Sequence, residues 1–253
     1  MAYIISFANQ KGGVGKTTSA VNIAASAAVL GKKVLLCDLD PQGNATSAVG
    51  INKRDVSVSI YDVLLGTANT AKAIVPTKWE NLSVLPSTIS LAGAEFDLIE
   101  MEHRETSLKS ALGEIEGDYD IIIIDCPPSL GLLTVNALTS SNGIVIPMQC
   151  EYFALEGLTQ LMYTIRKVKQ LYNPSIVITG ILVTMYNGRL NLSVQVMEEL
   201  KKFYADKLFN TVITRSVRLS EAPSYGSPAY YYDKNAKGTQ QYIEAAKELI
   251  GRI

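Results

Sequence analysis

Histidine is almost absent from this chain: His103 is the single one in 253 residues, and it lies in a polar stretch. No nucleophile can therefore be activated by a neighbouring imidazole, and His103 reads as a surface residue. Cysteine is scarce too. Cys37, Cys126 and Cys150 each close an apolar run, and none is spaced from another as a metal ligand would be. They read as reduced, buried thiols, which excludes a disulfide scaffold and a zinc or iron–sulfur centre. Excess charge is also missing: 23 Lys and Arg face 24 Asp and Glu, a net charge of −1. Nothing global announces a nucleic-acid or anionic-membrane partner. No apolar run approaches the length of a membrane span, and the N-terminus runs directly into a strand pattern without a leader-like segment. The expectation is a cytoplasmic protein. There is no Pro/Ser-rich linker, internal repeat or low-complexity run, so residues 1–253 are expected to form one domain.

Against this background one stretch stands out. Residues 10–18 read Gln-Lys-Gly-Gly-Val-Gly-Lys-Thr-Thr. The ordinary phosphate loop is G-x-x-x-x-G-K-[ST]. Gly15, Lys16 and Thr17 supply its end, but its first glycine would fall at Gln10. Instead Gly12 and Gly13 crowd the loop and Lys11 precedes them, which makes a deviant Walker A loop. Gly12, Gly13 and Gly15 let successive N–H groups converge on one anion. The helix expected to start near Lys16 adds its N-terminal partial charge. Lys16 can reach the β- and γ-phosphates, and the Thr17 hydroxyl can hold Mg²⁺. Val14 and Thr18 complete the cradle. The setting fits, since residues 3–8 are strand-like and residues 20–30 are alanine-rich with helical spacing. Lys11 so near Lys16 would repel it unless both face several phosphate charges. It either neutralises phosphate in its own site or reaches the nucleotide of a second subunit.

Two further strand ends carry carboxylates. Residues 121–125 are four isoleucines and Asp125, a Walker B pattern that delivers one carboxylate to the carboxyl edge of a buried strand. Asp125 would hold Mg²⁺ through water. Residues 126–129, Cys-Pro-Pro-Ser, form a stiff turn suited to a switch segment. Residues 38–44 read Asp-Leu-Asp-Pro-Gln-Gly-Asn, and period-2 geometry puts Asp38 and Asp40 on one face beside the loop. One can support the Mg²⁺ shell while the other orients the attacking water.

Further strand-like runs occur at residues 33–38, 82–85, 143–147 and 176–183. Helical patterns lie near residues 107–115, 132–140, 155–171, 192–204 and 240–250, and residues 51–105 are less regular. Near-continuous apolar strands alternating with helices predict an α/β P-loop NTPase fold with a mostly parallel central sheet and helices on both faces.

These strings, together with residues 149–157 (Gln-Cys-Glu-Tyr-Phe-Ala-Leu-Glu-Gly) and 217–226 (Val-Arg-Leu-Ser-Glu-Ala-Pro-Ser-Tyr-Gly), run in order across nearly the whole chain. It resembles the ParA/Soj-type DNA-partitioning ATPases, of the same broad deviant Walker A family as MinD. The resemblance implies an ATP- and Mg²⁺-dependent enzyme that dimerises on ATP, coats DNA without sequence preference and is reset by hydrolysis with a ParB-like partner on the nucleoid. It implies that Lys11 crosses the dimer to the partner's phosphates, that Asp40 is the hydrolytic aspartate and that Asp125 is the switch II aspartate. It places Arg189 and Arg218 on DNA. Thr214-Arg215-Ser216 stands where the family often has Pro-Arg-Asn, the segment that borders the adenine in relatives, so Arg215 and Ser216 are expected at the nucleotide.

Charge patterning adds to the DNA reading. Residues 166–218 hold nine Lys or Arg, including Lys201, Lys202 and Arg215, against three acids, a local charge of +6 on a nearly neutral protein. Such asymmetry is the footprint of phosphate-backbone binding. No helix-turn-helix or zinc pattern suggests base reading. Two competing classes remain at this point. One is a MinD-like membrane-associated ATPase, for which the C-terminal apolar stripe (Tyr242, Ile243, Ala246, Leu249, Ile250, Ile253) would be the anchor. Its polar face mixes Glu244 and Glu248 with Lys247 and Arg252, which suits core packing better than anionic lipid. The other is a metabolic P-loop ligase or kinase, which would want a polar substrate pocket.

Overall fold

The computed structural model describes residues 1–253 and contains one seven-stranded sheet in the order β3-β4-β2-β5-β1-β6-β7. The strands are β1 (Tyr3–Phe7), β2 (Val34–Asp38), β3 (Val75–Pro76), β4 (Leu82–Leu85), β5 (Ile121–Asp125), β6 (Gly143–Gln149) and β7 (Val177–Thr184). Helix α1 (Lys16–Val29) follows β1, and α2 (Asn44–Ala48), α3 (Ile60–Leu64) and α4 (Thr70–Ala73) lie between β2 and β3. Next come α5 (Ala94–Ile99) and α6 (Ser107–Gly113) before β5, α7 (Leu132–Ser140) before β6, and α8 (Ala154–Leu171) before β7. The chain ends with α9 (Asn191–Tyr204), α10 (Val217–Glu221), α11 (Ala229–Tyr232) and α12 (Lys237–Arg252).

All pairings are parallel except that of β3 with β4. The predicted fold is therefore what forms. β3 was not expected, because two residues carry no periodicity. A proline in it fits an edge position, where a missing N–H costs no ladder bond. Around β3 and β4, the irregular stretch 51–105 resolves into short helices, each too brief for a 3.6-residue period to show. Helix α1 begins at Lys16, ahead of the alanine-rich run, because the phosphate loop itself turns into it.

Side chains alternate between two cores. Ile4, Leu35, Ile122, Ile124, Ile144 and Ile181 bury on one face, and Ile5, Phe7, Leu36, Ile123, Val145 and Leu182 on the other. The second face is covered by α1 and α12, which pack on each other. Tyr242, Ala245, Ala246 and Leu249 of α12 are buried there, and Tyr242 Oη shares a 3.0 Å hydrogen bond with Ser19 Oγ. Of the C-terminal apolar stripe, Tyr242, Ala246 and Leu249 are thus core, Ile243 and Ile250 are half-buried and Ile253 is exposed. Arg252 locks the helix end, donating to the carbonyls of Thr179 (2.9 Å), Lys207 (3.1 Å) and Leu208 (2.7 Å). Residues 208–214 run alongside β7 through bridges at Ile181–Leu208 and Tyr186–Thr214.

Gly180 shows how tight this edge is. A Cβ there would collide with the Phe209 ring and sit 2.9 Å from the Arg252 guanidinium. Gly180→Ala is expected to destabilise the protein by about 1–3 kcal/mol through overpacking, measured as a lower denaturant midpoint with an unchanged m-value.

Candidate nucleotide site

The register of the sheet builds the site. Phe7 pairs with Asp125, and Asp38 pairs with Asp125 on the other side, so β1, β5 and β2 end level with one another. β1 lies between β5 and β6, and the chain leaving it forms the phosphate loop at this edge. Open parallel sheets bind ligands at such a switch point.

The loop is held from below. Thr184 Oγ1 donates to the Val14 carbonyl (2.7 Å), Asn9 Nδ2 to the Pro147 carbonyl (2.8 Å), and Lys11 N to Asn9 Oδ1 (3.0 Å). Gly13 and Gly15 have φ of 76° and 82°, a left-handed backbone that glycine adopts without strain. A Cβ on Gly12 or Gly13 would meet no atom within 4 Å, so the mouth of the loop is open. Lys16 is buried, with its Nζ donating to the Lys11 carbonyl at 3.1 Å. Burial lowers its pKa, and the Asp125 carboxylate is the strongest opposing influence.

The three aspartates differ in what they already hold. Asp38 Oδ2 accepts from Thr46 N and Thr46 Oγ1, both at 2.7 Å, and Oδ1 accepts from Asp40 N at 3.2 Å. Burial pushes Asp38 up to about 6, and the bonds from Thr46 oppose the rise. Asp40 is 8% exposed, and its Oδ1 accepts from Gln42 N at 2.9 Å. Asp125 is fully buried, yet neither carboxylate oxygen has a hydrogen-bond partner. Burial, followed by the nearby Asp38 charge, raises its pKa well above the usual carboxylate range, with Thr17 and Lys16 acting the other way. A buried carboxylate with no donors is costly. A hydrated divalent cation beside Thr17 would satisfy it, and oxygen donors of this kind suit magnesium. The residues present fit the ion.

Lys11 and Arg215 lie on two sides of the loop. The Lys11 ammonium is paired with the exposed carboxylate of Glu151 in the same chain. Beside Gly15 and Thr18 a cavity of about 230 Å³ opens, lined also by Met185, Thr214, Arg215, Ser216 and Pro223. Arg215 and Ser216 thus border a cavity that continues from the loop. Thr46, Thr184 and Glu151 were not singled out. Thr46 and Glu151 lie inside motif strings, but no spacing rule says which carboxylate or lysine each will meet.

The proposed basic surface is only partly assembled. Arg189 is exposed just before α9, and Arg215 is exposed where residues 208–214 return to the same edge. Arg218 is exposed but paired with Glu221 (2.9 Å) and Asp233 (3.5 Å). Lys201 and Lys202 occupy the last turn of α9, about 15 Å along the helix from its first residue at 1.5 Å per residue, whereas Arg189 precedes that residue. They form a separate basic end.

A family model described as an AAA domain matches residues 2–178. The sporulation initiation inhibitor protein Soj of Bacillus subtilis is 55% identical over 98% of this chain and 98% of its own. The chain belongs to the Soj/ParA family of chromosome-partitioning ATPases. The chromosome partitioning protein ParA of Myxococcus xanthus is 47% identical over 98% of this chain and 88% of its own. Among solved structures, cobyrinic acid a,c-diamide synthase from Mycobacterium smegmatis with bound ADP and magnesium superposes with a TM-score of 0.87. It is 38% identical and covers 99% of this Soj/ParA chain and 94% of its own. No helix of the chain is long and apolar enough to cross a membrane.

Proposed function

We propose that this Soj/ParA chain is a Mg²⁺-dependent ATPase that dimerises on ATP, binds DNA without sequence preference and drives DNA segregation with a ParB-like partner on the nucleoid. The observation that carries the chemistry is the edge where the two-lysine loop meets the three strand-end aspartates, one of them with both oxygens unpartnered. We take residues 1–253 as a single domain, since the last helix packs on the first.

In this reading residues 12–18 wrap the phosphates with main-chain N–H groups. Lys16 neutralises β- and γ-phosphate charge from a buried position, so little ordering is needed at the moment of reaction. Thr17, Asp38 and Asp125 are the residues that would hold the magnesium. Magnesium, when bound, offsets the charge on the phosphate oxygens. Asp40 orients the attacking water, and the chain supplies position and electrostatics rather than a nucleophile. The cavity beside Arg215 and Ser216 takes the base. Lys11 leaves Glu151 and reaches the phosphates of the second subunit.

A symmetric dimer presents Arg189, Arg215 and Arg218 twice, with Lys201 and Lys202 as outlying contacts. Binding should need ATP and fall steeply with salt, with a log–log slope of about −0.9 per neutralised phosphate. Arg189→Ala and Arg218→Ala should each weaken binding about tenfold on every duplex and flatten the slope by roughly one contact per subunit. Arg218 gives up only exposed ion pairs to do this, a small cost. Titrations on unrelated duplexes at several salt concentrations check it. Parental affinity and slope in both variants would remove this surface. ATP turnover measured with DNA and with liposomes separates the classes: DNA stimulation supports partitioning, and lipid stimulation the MinD-like reading. Turnover that instead requires a small-molecule co-substrate supports the metabolic one.

A further inference from the structure

Asp40 lies in a tight turn that follows β2. Asp40 N donates to Asp38 Oδ1 (3.2 Å), Gln42 N to Asp40 Oδ1 (2.9 Å) and Gly43 N to the Asp40 carbonyl (2.9 Å). Gly43 has φ of 61°, a left-handed backbone that suits glycine. All of these bonds are local to the turn. One further bond comes from outside it: Lys53 Nζ donates to the Gln42 carbonyl at 2.6 Å, from 11 residues along the chain.

The position of Lys53 is built. It opens a 3₁₀ turn, Lys53–Asp55, capped by Asn52. Asn52 Oδ1 accepts from Arg54 N (3.2 Å), and its Nδ2 donates to Asp55 Oδ2 (2.9 Å). Lys53 is half-buried and forms no ion pair. A lysine ammonium is strongly hydrated and ordinarily stays in water or meets a carboxylate. This one is directed at a main-chain carbonyl beside Asp40. Its stem is as closely placed as its head. A Cβ on Gly43 would collide with the Lys53 side chain and lie 2.9 Å from the Ser87 carbonyl. Gly43 is thus packed against both Lys53 and the chain leaving β4. Ser87 N in turn donates to Thr46 Oγ1 (2.9 Å), the hydroxyl that donates to Asp38.

The route from Lys53 to Asp40 is short. The Gln42 carbonyl and the Gly43 N–H belong to one planar peptide. A cation on that oxygen polarises the N–H that donates to Asp40, and bonds in such a chain strengthen one another. It also fixes the plane of the peptide next to Gln42 N, which holds Asp40 Oδ1. Asp40 Oδ2, which makes no hydrogen bond, is then presented in one orientation.

We propose that Lys53 is a positioning residue for hydrolysis, acting through the Gln42–Gly43 peptide on the Asp40 carboxylate. This rests on the reading of Asp40 as the residue that orients the attacking water, and the measurements separate the two.

Lys53→Met keeps the stem beside Gly43 and removes the charge. Its single-turnover rate at saturating ATP, followed by quench-flow, should fall about tenfold or more, as expected when a catalytic group is displaced. Half-saturating ATP, dimerisation with a slowly hydrolysed analogue and the melting temperature should stay at parental values. Lys53→Arg, which can still donate to a carbonyl, should recover most of the rate. In an Asp40→Ala background Lys53→Met should cost no further rate, because residues that act as a unit are not additive. Amide hydrogen exchange gives a readout without turnover. In nucleotide-free Lys53→Met, Gly43 N–H should exchange about tenfold faster, while Thr46 N stays protected by Asp38. A full second loss in the Asp40→Ala background overturns the relay, and so does unchanged protection at Gly43. Parental turnover in Lys53→Met beside a slow Asp40→Ala overturns it as well. Lost nucleotide affinity or dimerisation would put Lys53 in binding instead. Parental turnover in Asp40→Ala alone removes the water role of Asp40, and this proposal with it.

Discussion

Asp40→Ala is expected to bind ATP within about threefold of the parent while its single-turnover hydrolysis falls at least about a hundredfold, the scale of a positioned acid–base group. The three aspartates at the sheet edge are not equivalent. Asp38 has both oxygens committed, to Thr46 and to Asp40 N. Asp125 is sealed behind the loop, fully buried. Only Asp40 is at the rim with one oxygen, Oδ2, making no hydrogen bond, because Gln42 N takes Oδ1. It is the carboxylate that a water above the loop can meet. The substitution is also mild structurally. The main-chain bond from residue 40 to Asp38 survives, and Gln42 is exposed, so water replaces the lost acceptor. Asp40→Asn keeps the shape and loses the charge. If it too is slow, charge and not packing is what the water needs. Quench-flow with radiolabelled ATP and an equilibrium nucleotide titration check both variants. Near-parental turnover removes Asp40 from the water. Lost nucleotide binding moves it into the phosphate cradle.

The sheet was legible because its strands are almost purely apolar and end in chemistry. Ile121–Asp125 announces both a buried strand and a carboxylate at its tip. Its place between β1 and β2 was not legible, because burial on both faces does not say which strands are neighbours. The phosphate loop was legible because glycine positions and lysine spacing are fixed by one anion. What stayed hidden depends on contacts across sequence distance. Thr46 meets Asp38 only because α2 folds back over the end of β2. Glu151 meets Lys11 across 140 residues of chain. Lys201, Lys202 and Arg189 were counted in one basic stretch, since composition counts charge without direction. A helix axis separates them.

Lys16→Ala and Lys11→Ala should fail in different ways, although both remove one positive charge from the same loop. Lys16 is buried at the N-terminus of α1, tied to the loop by its bond to the Lys11 carbonyl. Burial already disfavours its charged form, and neighbouring carboxylates sustain it. We propose that a cation held under the loop in this way serves the phosphates of its own subunit. Lys16→Ala is expected to weaken ATP binding by about two orders of magnitude, on the order of 3 kcal/mol for a charge-assisted contact in a desolvated site. Lys11 directs its ammonium to Glu151. It is half-exposed and paired with Glu151, itself exposed, so the pair is worth under about 1 kcal/mol and opens readily. A long side chain held so weakly can reach a second subunit at little cost. Lys11→Ala should therefore keep nucleotide affinity in the monomer within about threefold and lose ATP-dependent dimerisation, with hydrolysis lost alongside it. Glu151→Gln should do the opposite, releasing Lys11 and letting dimers form at lower ATP. Sedimentation velocity with a slowly hydrolysed analogue, beside a nucleotide titration at low protein concentration, separates these outcomes. A Lys11→Ala protein that dimerises and turns over like the parent would confine Lys11 to its own subunit. Equal loss of monomer ATP binding in both lysine variants would make Lys11 part of the cradle, and the pairing with Glu151 would then carry no regulatory meaning.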